Sequence, residues 1–161
     1  MILVAYASKH GSSKEVAEHI AKRLQEKGQK AEAKPAAEIK DLGKPDAVVI
    51  GSGLYQGAWL PEATAFARKN QAVLATVPTW LFSVGPLGKD VKDDKEQPVE
   101  LAELRDRLKP RHHVVFRGVL DYGKLDHGER MTMKAAGASE GDFREWDAIT
   151  AWADGIAKAL G

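Results

Sequence analysis

Short apolar runs alternate with segments of helical periodicity along most of this chain, and this alternation limits the fold more than any other feature. The clearest runs are ILVAYA at Ile2–Ala7, DAVVIGS at residues 46–52 and TWLFS at residues 79–83. They are apolar almost throughout, as are strands buried on both faces of a parallel sheet. Because helix-patterned segments separate them, we predict a doubly wound α/β sandwich with right-handed crossovers.

The same patterns place the remaining elements. We predict helices at residues 12–27, 61–70 and 99–108, and further strands at residues 29–34 and 113–118. The sequence Asp142-x-x-Glu145 has the form of a helix start, so the last helix is expected to begin there. No internal repeat or linker-like segment interrupts the chain, and residues 1–161 are therefore predicted to form one domain.

The composition argues against several classes of function. The chain has no cysteine, which excludes disulfides, iron–sulfur clusters and thiol catalysis. Its formal net charge of +1 argues against a nucleic-acid surface, which would need a clustered basic excess. No apolar run reaches the roughly 20 residues of a membrane-spanning helix, and no signal-peptide pattern is visible. We therefore expect a cytoplasmic protein without a transmembrane segment or a nucleic-acid partner.

A polar loop rich in small donors joins the first predicted strand to the first predicted helix. It consists of Ser8, Lys9, His10, Gly11, Ser12 and Ser13. A helix N-terminus offers unpaired N–H groups and a partial positive charge, which suits a phosphate. The serine hydroxyls add donors, and the glycine lets the backbone approach a ligand closely. Ser12-x-x-Glu15 also has the form of a capping box, so an ordinary capped helix remains the alternative.

Other phosphate and catalytic patterns are absent from the sequence. There is no G-x-x-x-x-G-K-[ST] and no G-x-G-x-x-G after the first strand, which argues against P-loop and dinucleotide-binding proteins. The strand ends Ala7-Ser8-Lys9 and Gly51-Ser52-Gly53 lack the carboxylates with which a receiver domain holds magnesium. No G-x-S-x-G occurs, and the five histidines have no metal-ligand spacing. We therefore predict no catalytic side chain and no metal site.

Two glycine-rich loops follow the neighbouring strands, at the edge where ligands of such sheets bind. The candidate binding residues of the first are Ser52, Gly53, Leu54, Tyr55, Gln56, Gly57 and Trp59. Those of the second are Ser83, Val84, Gly85, Pro86, Leu87 and Gly88. Tyr55 and Trp59 either stack on a flat ring or pack their loop onto the following helix. A phosphate cradle with two such walls is typical of a flavin mononucleotide (FMN) site.

The whole chain resembles the flavodoxin family. SKHGSS is similar to its phosphate signature, hydroxyl-x-hydroxyl-Gly-x-hydroxyl, with His10 where Ser or Thr is usual. Four stretches are similar to the short flavodoxin-domain proteins related to menaquinone-dependent protoporphyrinogen IX dehydrogenase: YASKHGSSKEVAEHIA, VVIGSGLYQGAWLPEA, WLFSVGPLG and GDFREWDAITAWADGIA. The resemblance implies a flavodoxin-like three-layer α/β/α sandwich with a five-stranded parallel sheet in the order 2-1-3-4-5. FMN rather than FAD is expected, because the signature encloses one terminal phosphate.

The resemblance leaves three functions open. The favoured one is an FMN-dependent oxidoreductase, quinone-linked or protoporphyrinogen dehydrogenase-like, that acts on a small organic substrate. The first alternative is a flavodoxin-type electron carrier with a protein redox partner. Carriers of that type are strongly acidic, which steers them to basic partners, and this chain lacks that excess. The second alternative is a non-redox flavodoxin-like binding module.

Overall fold

The computed structural model of the protein describes residues 1–55, 58–85, 99–135 and 140–161. Within them, the main sheet contains six strands: β1 (Ile2–Ala7), β2 (Ala31–Pro35), β3 (Ala47–Tyr55), β4 (Ala58–Trp59), β5 (Thr79–Gly85) and β6 (His112–Arg117). Five of these strands run parallel in the order β2-β1-β3-β5-β6, and β4 pairs antiparallel with β3 outside this order. Counted along the parallel strands alone, this is the predicted order 2-1-3-4-5, and the flavodoxin-like fold is confirmed.

Helices cover both faces of this sheet. They are α1 (Ser12–Glu26), α2 (Pro61–Lys69), α3 (Gln71–Leu74), α4 (Val99–Leu108), α5 (His127–Ala135) and α6 (Trp146–Leu160). A second, two-stranded antiparallel sheet pairs β7 (Val119–Leu120) with β8 (Gly141–Asp142). Apolar side chains of α1 and α6 pack on one face of the main sheet, and those of α2, α3 and α4 pack on the other. The arrangement is the expected three-layer sandwich.

Alternation along the strands divides the apolar residues between the two faces. In β1, Ile2, Val4 and Tyr6 belong to the core under α1 and α6, whereas Leu3, Ala5 and Ala7 belong to the opposite core. All six residues of β1 are buried. A strand buried on both faces has no polar side to alternate with, which explains the continuous apolar run in the sequence.

Two element boundaries differ by three residues or more from the sequence-based predictions. The strand β3 runs to Tyr55, beyond the predicted end at residue 52, because β4 folds back and pairs with its last residues. The last helix begins at Trp146, so the start predicted at Asp142 was wrong. The Asp142 carboxylate instead accepts two hydrogen bonds from the Arg144 guanidinium, at 3.0 and 2.7 Å, and Asp142 lies in β8.

The ring of Phe82 lies directly over Gly51, its neighbour across the β3–β5 pairing. A Cβ atom at Gly51 would lie 1.9 Å from Phe82 Cζ. The ring is fully buried and packs against Phe116 and Trp152, with ring centroids 6.2 and 6.1 Å away. Glycine at residue 51 is therefore a steric requirement of the core.

A pair of glycine substitutions tests this packing. We expect Gly51→Ala to lower the free energy of unfolding by about 1–3 kcal/mol, because the buried ring has to move. Gly155→Ala is the matched control, since its Cβ in α6 would meet nothing within 4 Å. There the gain in helix propensity should raise the free energy by about 0.5–1 kcal/mol. Urea denaturation measures both, and a wild-type midpoint for Gly51→Ala would contradict the packing.

Candidate functional site

A pocket lies beyond the carboxyl ends of β1, β3 and β5, at the sheet edge named in the sequence analysis. The first loop contributes Ser8, Lys9, His10, Ser12 and Ser13 to its wall. The ends of β3 and β5 contribute Gly53, Leu54, Val84 and Gly85. Three separate stretches of the sequence, predicted to meet at one ligand, therefore do meet around one cavity.

The first loop is shaped by a left-handed turn at Gly11. Its φ of 92° is a conformation that glycine adopts at little cost, and Gly11 is the residue immediately before α1. The Gly11 N–H donates to Ser8 Oγ at 2.9 Å, which closes the turn within the loop. No side chain caps the helix, and Glu15 instead pairs with Arg144. The capping-box interpretation of Ser12 and Glu15 was therefore wrong.

The pocket contains a hydroxyl that lacks a hydrogen-bond partner. Ser12 Oγ is buried, and within the described ranges it is the one buried side-chain oxygen or nitrogen with no protein partner. Buried polar groups are nearly always hydrogen-bonded, so this exception suggests a missing ligand. Ser12 begins α1, where backbone N–H groups point out of the helix. An anion with several oxygens would satisfy the hydroxyl and these N–H groups together.

Glycine keeps the opposite wall of the pocket open. A Cβ atom at Gly53 would lie 3.0 Å from Ser13 Oγ, closer than side chains normally pack. At the next strand pair, a Cβ atom at Gly118 would lie 2.2 Å from the carbonyl oxygen of Gly85. Both glycines therefore allow a close approach of chain segments at the strand ends.

Three of the predicted binding residues bond to other parts of the protein behind the pocket. The Trp59 indole N–H donates to Ser83 Oγ at 2.8 Å, and Ser52 Oγ accepts from the Leu60 N–H at 2.9 Å. All three side chains are buried, and the described pocket wall does not include them. Trp59 also belongs to the apolar core that contains side chains of α2, the helix that follows its loop. This agrees with the alternative stated for it above.

Of the other predicted residues in these two loops, Gly53, Leu54, Val84 and Gly85 lie on the pocket wall. Tyr55 is the last residue of β3. Five residues lie outside the described ranges: Gln56, Gly57, Pro86, Leu87 and Gly88. That the residues of the three loops bind FMN stays a prediction.

Six wall residues were missed in the sequence analysis. They are Leu60, Gly118, Val119, Leu125, Glu129 and Met133. Four carry apolar side chains that give no signal distinguishing a pocket from a core. Glu129 did have a signal, since Asp126-x-x-Glu129 has the form of a capping box. In the structure the Glu129 N–H donates to Asp126 Oδ1 at 2.8 Å, and the Asp126 N–H donates to Glu129 Oε1 at 3.3 Å.

The carboxylate of Glu129 joins this cap to the first loop. Its Oε1 lies 3.0 Å from Lys9 Nζ, and its Oε2 lies 3.0 Å from His10 Nε2. Lys9 Nζ also lies 3.3 Å from Asp126 Oδ2. Burial tends to raise the pKa of Glu129, but the hydrogen bonds from His10 and Lys9 outweigh it and lower the pKa below its usual value. Glu129 is therefore ionised at neutral pH, although it is only 7% exposed.

A second histidine, His113, lies in β6, where its surroundings disfavour a positive charge on the ring. His113 Nε2 lies 3.0 Å from Ser83 Oγ. Because that oxygen accepts from Trp59, its own proton is available to the imidazole. Burial, followed by the positive charge of Arg105 and by His112, lowers the pKa of His113 to about 4. His113 is therefore neutral at physiological pH.

The described ranges lack both a membrane-spanning helix and a metal-binding cluster. They contain no helix that is both long and apolar enough to cross a membrane. They also contain no group of three or more histidine, aspartate or glutamate side chains arranged to hold a metal ion.

Comparisons with known proteins agree with the fold. Residues 3–147 match the family model described as a flavodoxin domain. The chain is 26% identical to protoporphyrinogen IX dehydrogenase (quinone) of Escherichia coli strain K12, over 93% of this chain and 87% of that protein.

Solved structures with this fold include proteins of different sizes. A mutant of flavodoxin from Pseudomonas aeruginosa superposes with a TM-score of 0.62 at 17% identity, over 99% of this chain and 97% of that one. Rubredoxin oxygen:oxidoreductase from the anaerobe Desulfovibrio gigas superposes with a TM-score of 0.67 at 15% identity. That match covers 99% of this chain but only 35% of the larger protein. At these identities the likeness concerns the fold alone.

The neutral state of His113 predicts a loss of stability in acid. The ordinary pKa is 6.5 and the folded value is about 4. Between these values the unfolded chain binds a proton that the folded protein does not. Stability should therefore fall as the pH falls through this window, by about 1–2 kcal/mol after allowance for partial solvation of the imidazole.

The measurement is urea denaturation of wild type and His113→Gln across that pH range. The variant should lose less stability in acid than wild type does. His127→Gln, which alters an exposed histidine, is the control and should keep the wild-type acid sensitivity. Equal acid sensitivity of His113→Gln and wild type would show that the buried imidazole is not responsible.

Proposed function

Because the chain belongs to the flavodoxin family and binds FMN, we propose that it is an FMN-dependent oxidoreductase acting on a quinone or another small organic molecule. The observation that carries this proposal is the unpartnered Ser12 hydroxyl at the N-terminus of α1, in a pocket built from three strand ends. A cytoplasmic location is part of the same proposal.

The first loop has the donors that a phosphate monoester needs. Ser8, Ser12 and Ser13 offer hydroxyls on the pocket wall, and the first turn of α1 offers backbone N–H groups. Lys9 adds a positive charge and His10 adds ring nitrogens, although both side chains also contact Glu129. This donor set fits the terminal phosphate of FMN, and we assign the phosphate to it.

The rest of the pocket wall suits a flat, largely apolar ring. Leu54, Leu60, Val84, Leu125 and Met133 line it with apolar side chains that would exclude water from the bound flavin. The isoalloxazine supplies the redox chemistry when it is bound. The residues of this chain bind the phosphate, orient the ring and limit access of solvent, so no side chain has to act as an acid or base.

Two features favour an enzyme over an electron carrier. The formal net charge of +1 gives no acidic field to steer a basic protein partner. The relative with matching coverage is named a protoporphyrinogen IX dehydrogenase that uses a quinone. The likeness of the fold to carrier flavodoxins supports the alternative, in which the partner is a redox protein.

Quinone turnover by the purified protein separates these functions. We expect a yellow protein that releases FMN rather than FAD on chromatography. In anaerobic solution with protoporphyrinogen supplied in excess as the electron donor, the protein should catalyse reduction of a soluble quinone such as menadione through many turnovers. Bound FMN without quinone turnover would favour the carrier. Absence of any flavin binding would favour the non-redox module.

A single hydroxyl tests the phosphate assignment. Ser12→Ala removes an unpaired buried oxygen, so the melting temperature of the apoprotein should stay the same or rise. It also removes a hydrogen bond to a charged phosphate, worth about 1.5–3 kcal/mol, so the Kd for FMN should rise about tenfold or more. Isothermal titration calorimetry measures the Kd.

Two controls accompany this variant. Riboflavin lacks the phosphate, and its Kd should not change in Ser12→Ala. Thr76→Ala removes a hydroxyl that donates to Val73 away from the pocket, and should leave the Kd for FMN unchanged. Wild-type FMN affinity in Ser12→Ala would place the phosphate elsewhere in the pocket.

A further inference from the structure

His10 lies in the first loop, to which we assign the phosphate, at a position where the flavodoxin signature usually has Ser or Thr. Its side chain is 31% exposed and lies on the pocket wall. Its Nε2 lies 3.0 Å from Glu129 Oε2, so one ring nitrogen is already committed to a carboxylate. An ionised carboxylate bound to one nitrogen stabilises the protonated form of an imidazole. The residue thus has a partner suited to holding it as a cation beside the phosphate site.

Glu129 is held firmly in place. Its Oε1 accepts from the Asp126 N–H and from Lys9 Nζ, and its own N–H donates to Asp126 Oδ1. These contacts form the N-terminal cap of α5. Moving the carboxylate away from an incoming phosphate would break the cap and the ion pair together. We therefore expect the negative charge of Glu129 to remain in the wall when a ligand binds.

A fixed carboxylate beside a phosphate creates an electrostatic problem. The charged groups that face His10 are Glu129 and Asp126 at the start of α5, and Lys9 in its own loop. With a neutral His10, these groups leave an excess negative charge next to a phosphate dianion. With a protonated His10, the charges of the wall cancel. Binding of the dianion therefore favours the imidazolium form.

We propose that Glu129 is a positioning residue that, together with the FMN phosphate, stabilises the protonated form of His10 in the complex, so that FMN binding takes up one proton at His10. The proton comes from solvent, and Nε2–H remains bonded to Glu129 Oε2. This inference rests on the proposed function, because it assigns the phosphate to the first loop.

The consequence is an FMN affinity that falls as the pH rises. A phosphate monoester loses its second proton near pH ~6, so the FMN phosphate is a dianion above about pH 7. In the proposed complex the dianion is bound together with a proton on His10, and protons become scarcer as the pH rises. Each bound FMN must then recruit a proton. The Kd should rise by up to about tenfold per pH unit over this range.

The test is a titration of the apoprotein with FMN and with riboflavin at about pH 7, 8 and 9. For wild type we expect the Kd of FMN to rise at least about tenfold across the series and that of riboflavin to stay constant. Calorimetry at about pH 8 in buffers of different ionisation enthalpy should show uptake of close to one proton per FMN. Riboflavin should show none.

Three variants identify the groups involved. Glu129→Gln keeps a hydrogen-bonding group of the same size but removes the charge, so the wall is neutral without a proton on His10. The Kd of FMN should therefore change by less than about twofold across the pH series. His10→Ser restores a hydroxyl and should abolish the pH dependence. His127→Gln is the control, because it removes an exposed imidazole that is not part of the described pocket wall and leaves the charges around His10 unchanged. It should keep the wild-type pH dependence.

The outcomes separate this inference from the function on which it rests. If wild type binds FMN with no pH dependence, or if Glu129→Gln keeps the wild-type pH dependence, the inference is wrong while the proposed function stands. Unchanged proton uptake in His10→Ser would also overturn it. If wild type binds neither flavin, both the function and the inference fail. Riboflavin binding and circular dichroism report whether Glu129→Gln is folded.

Discussion

The register with which β3 pairs with β1 and with β5 sets the positions of the strand ends around the pocket. Ala7 pairs with Ser52, and Ser52 pairs with Ser83, so three strands reach the same edge at the same level. A shift by one residue would turn Val48 and Ile50 out of their core and into the opposite one. The pairing that buries the apolar side chains is thus the same pairing that brings the loops together.

The first loop, residues 8–13, is held from two sides by elements distant in sequence. On one side, α1 packs against α6 and is bonded to it through Arg23 and Asp154, whose closest atoms are 2.6 Å apart. On the other side, the cap of α5 grips the loop through Glu129. A loop fixed at both ends loses little conformational entropy when a ligand binds, and such preorganisation contributes to affinity. The scaffold therefore prepares the site before any cofactor arrives.

The sequence predicted the fold well and the site in part, for identifiable reasons. Apolar runs and glycine-rich strand ends are local signals, and they located the strands and the loops. Side chains alternate in direction along β3 and β5 as far as Ser52 and Ser83. These two side chains bond to Leu60 and Trp59 instead of lining the pocket to which the sequence analysis assigned them. Glu129 could not be placed, because its contact with His10 spans 119 positions of the chain. Such contacts depend on tertiary structure rather than on local pattern.

The two histidines near the strand ends differ in what surrounds them, and that difference connects stability with binding. His113 lies where burial and Arg105 disfavour a proton, and it bonds to a serine hydroxyl inside the packed layer. His10 lies on the pocket wall against an ionised carboxylate. A neutral imidazole suits the packed layer, where an unpaired charge would be costly, whereas an imidazolium would suit a wall that binds phosphate, as proposed for His10. In that proposal the same residue type has two roles, one in the packed layer of the sheet and one in an anion site at its edge.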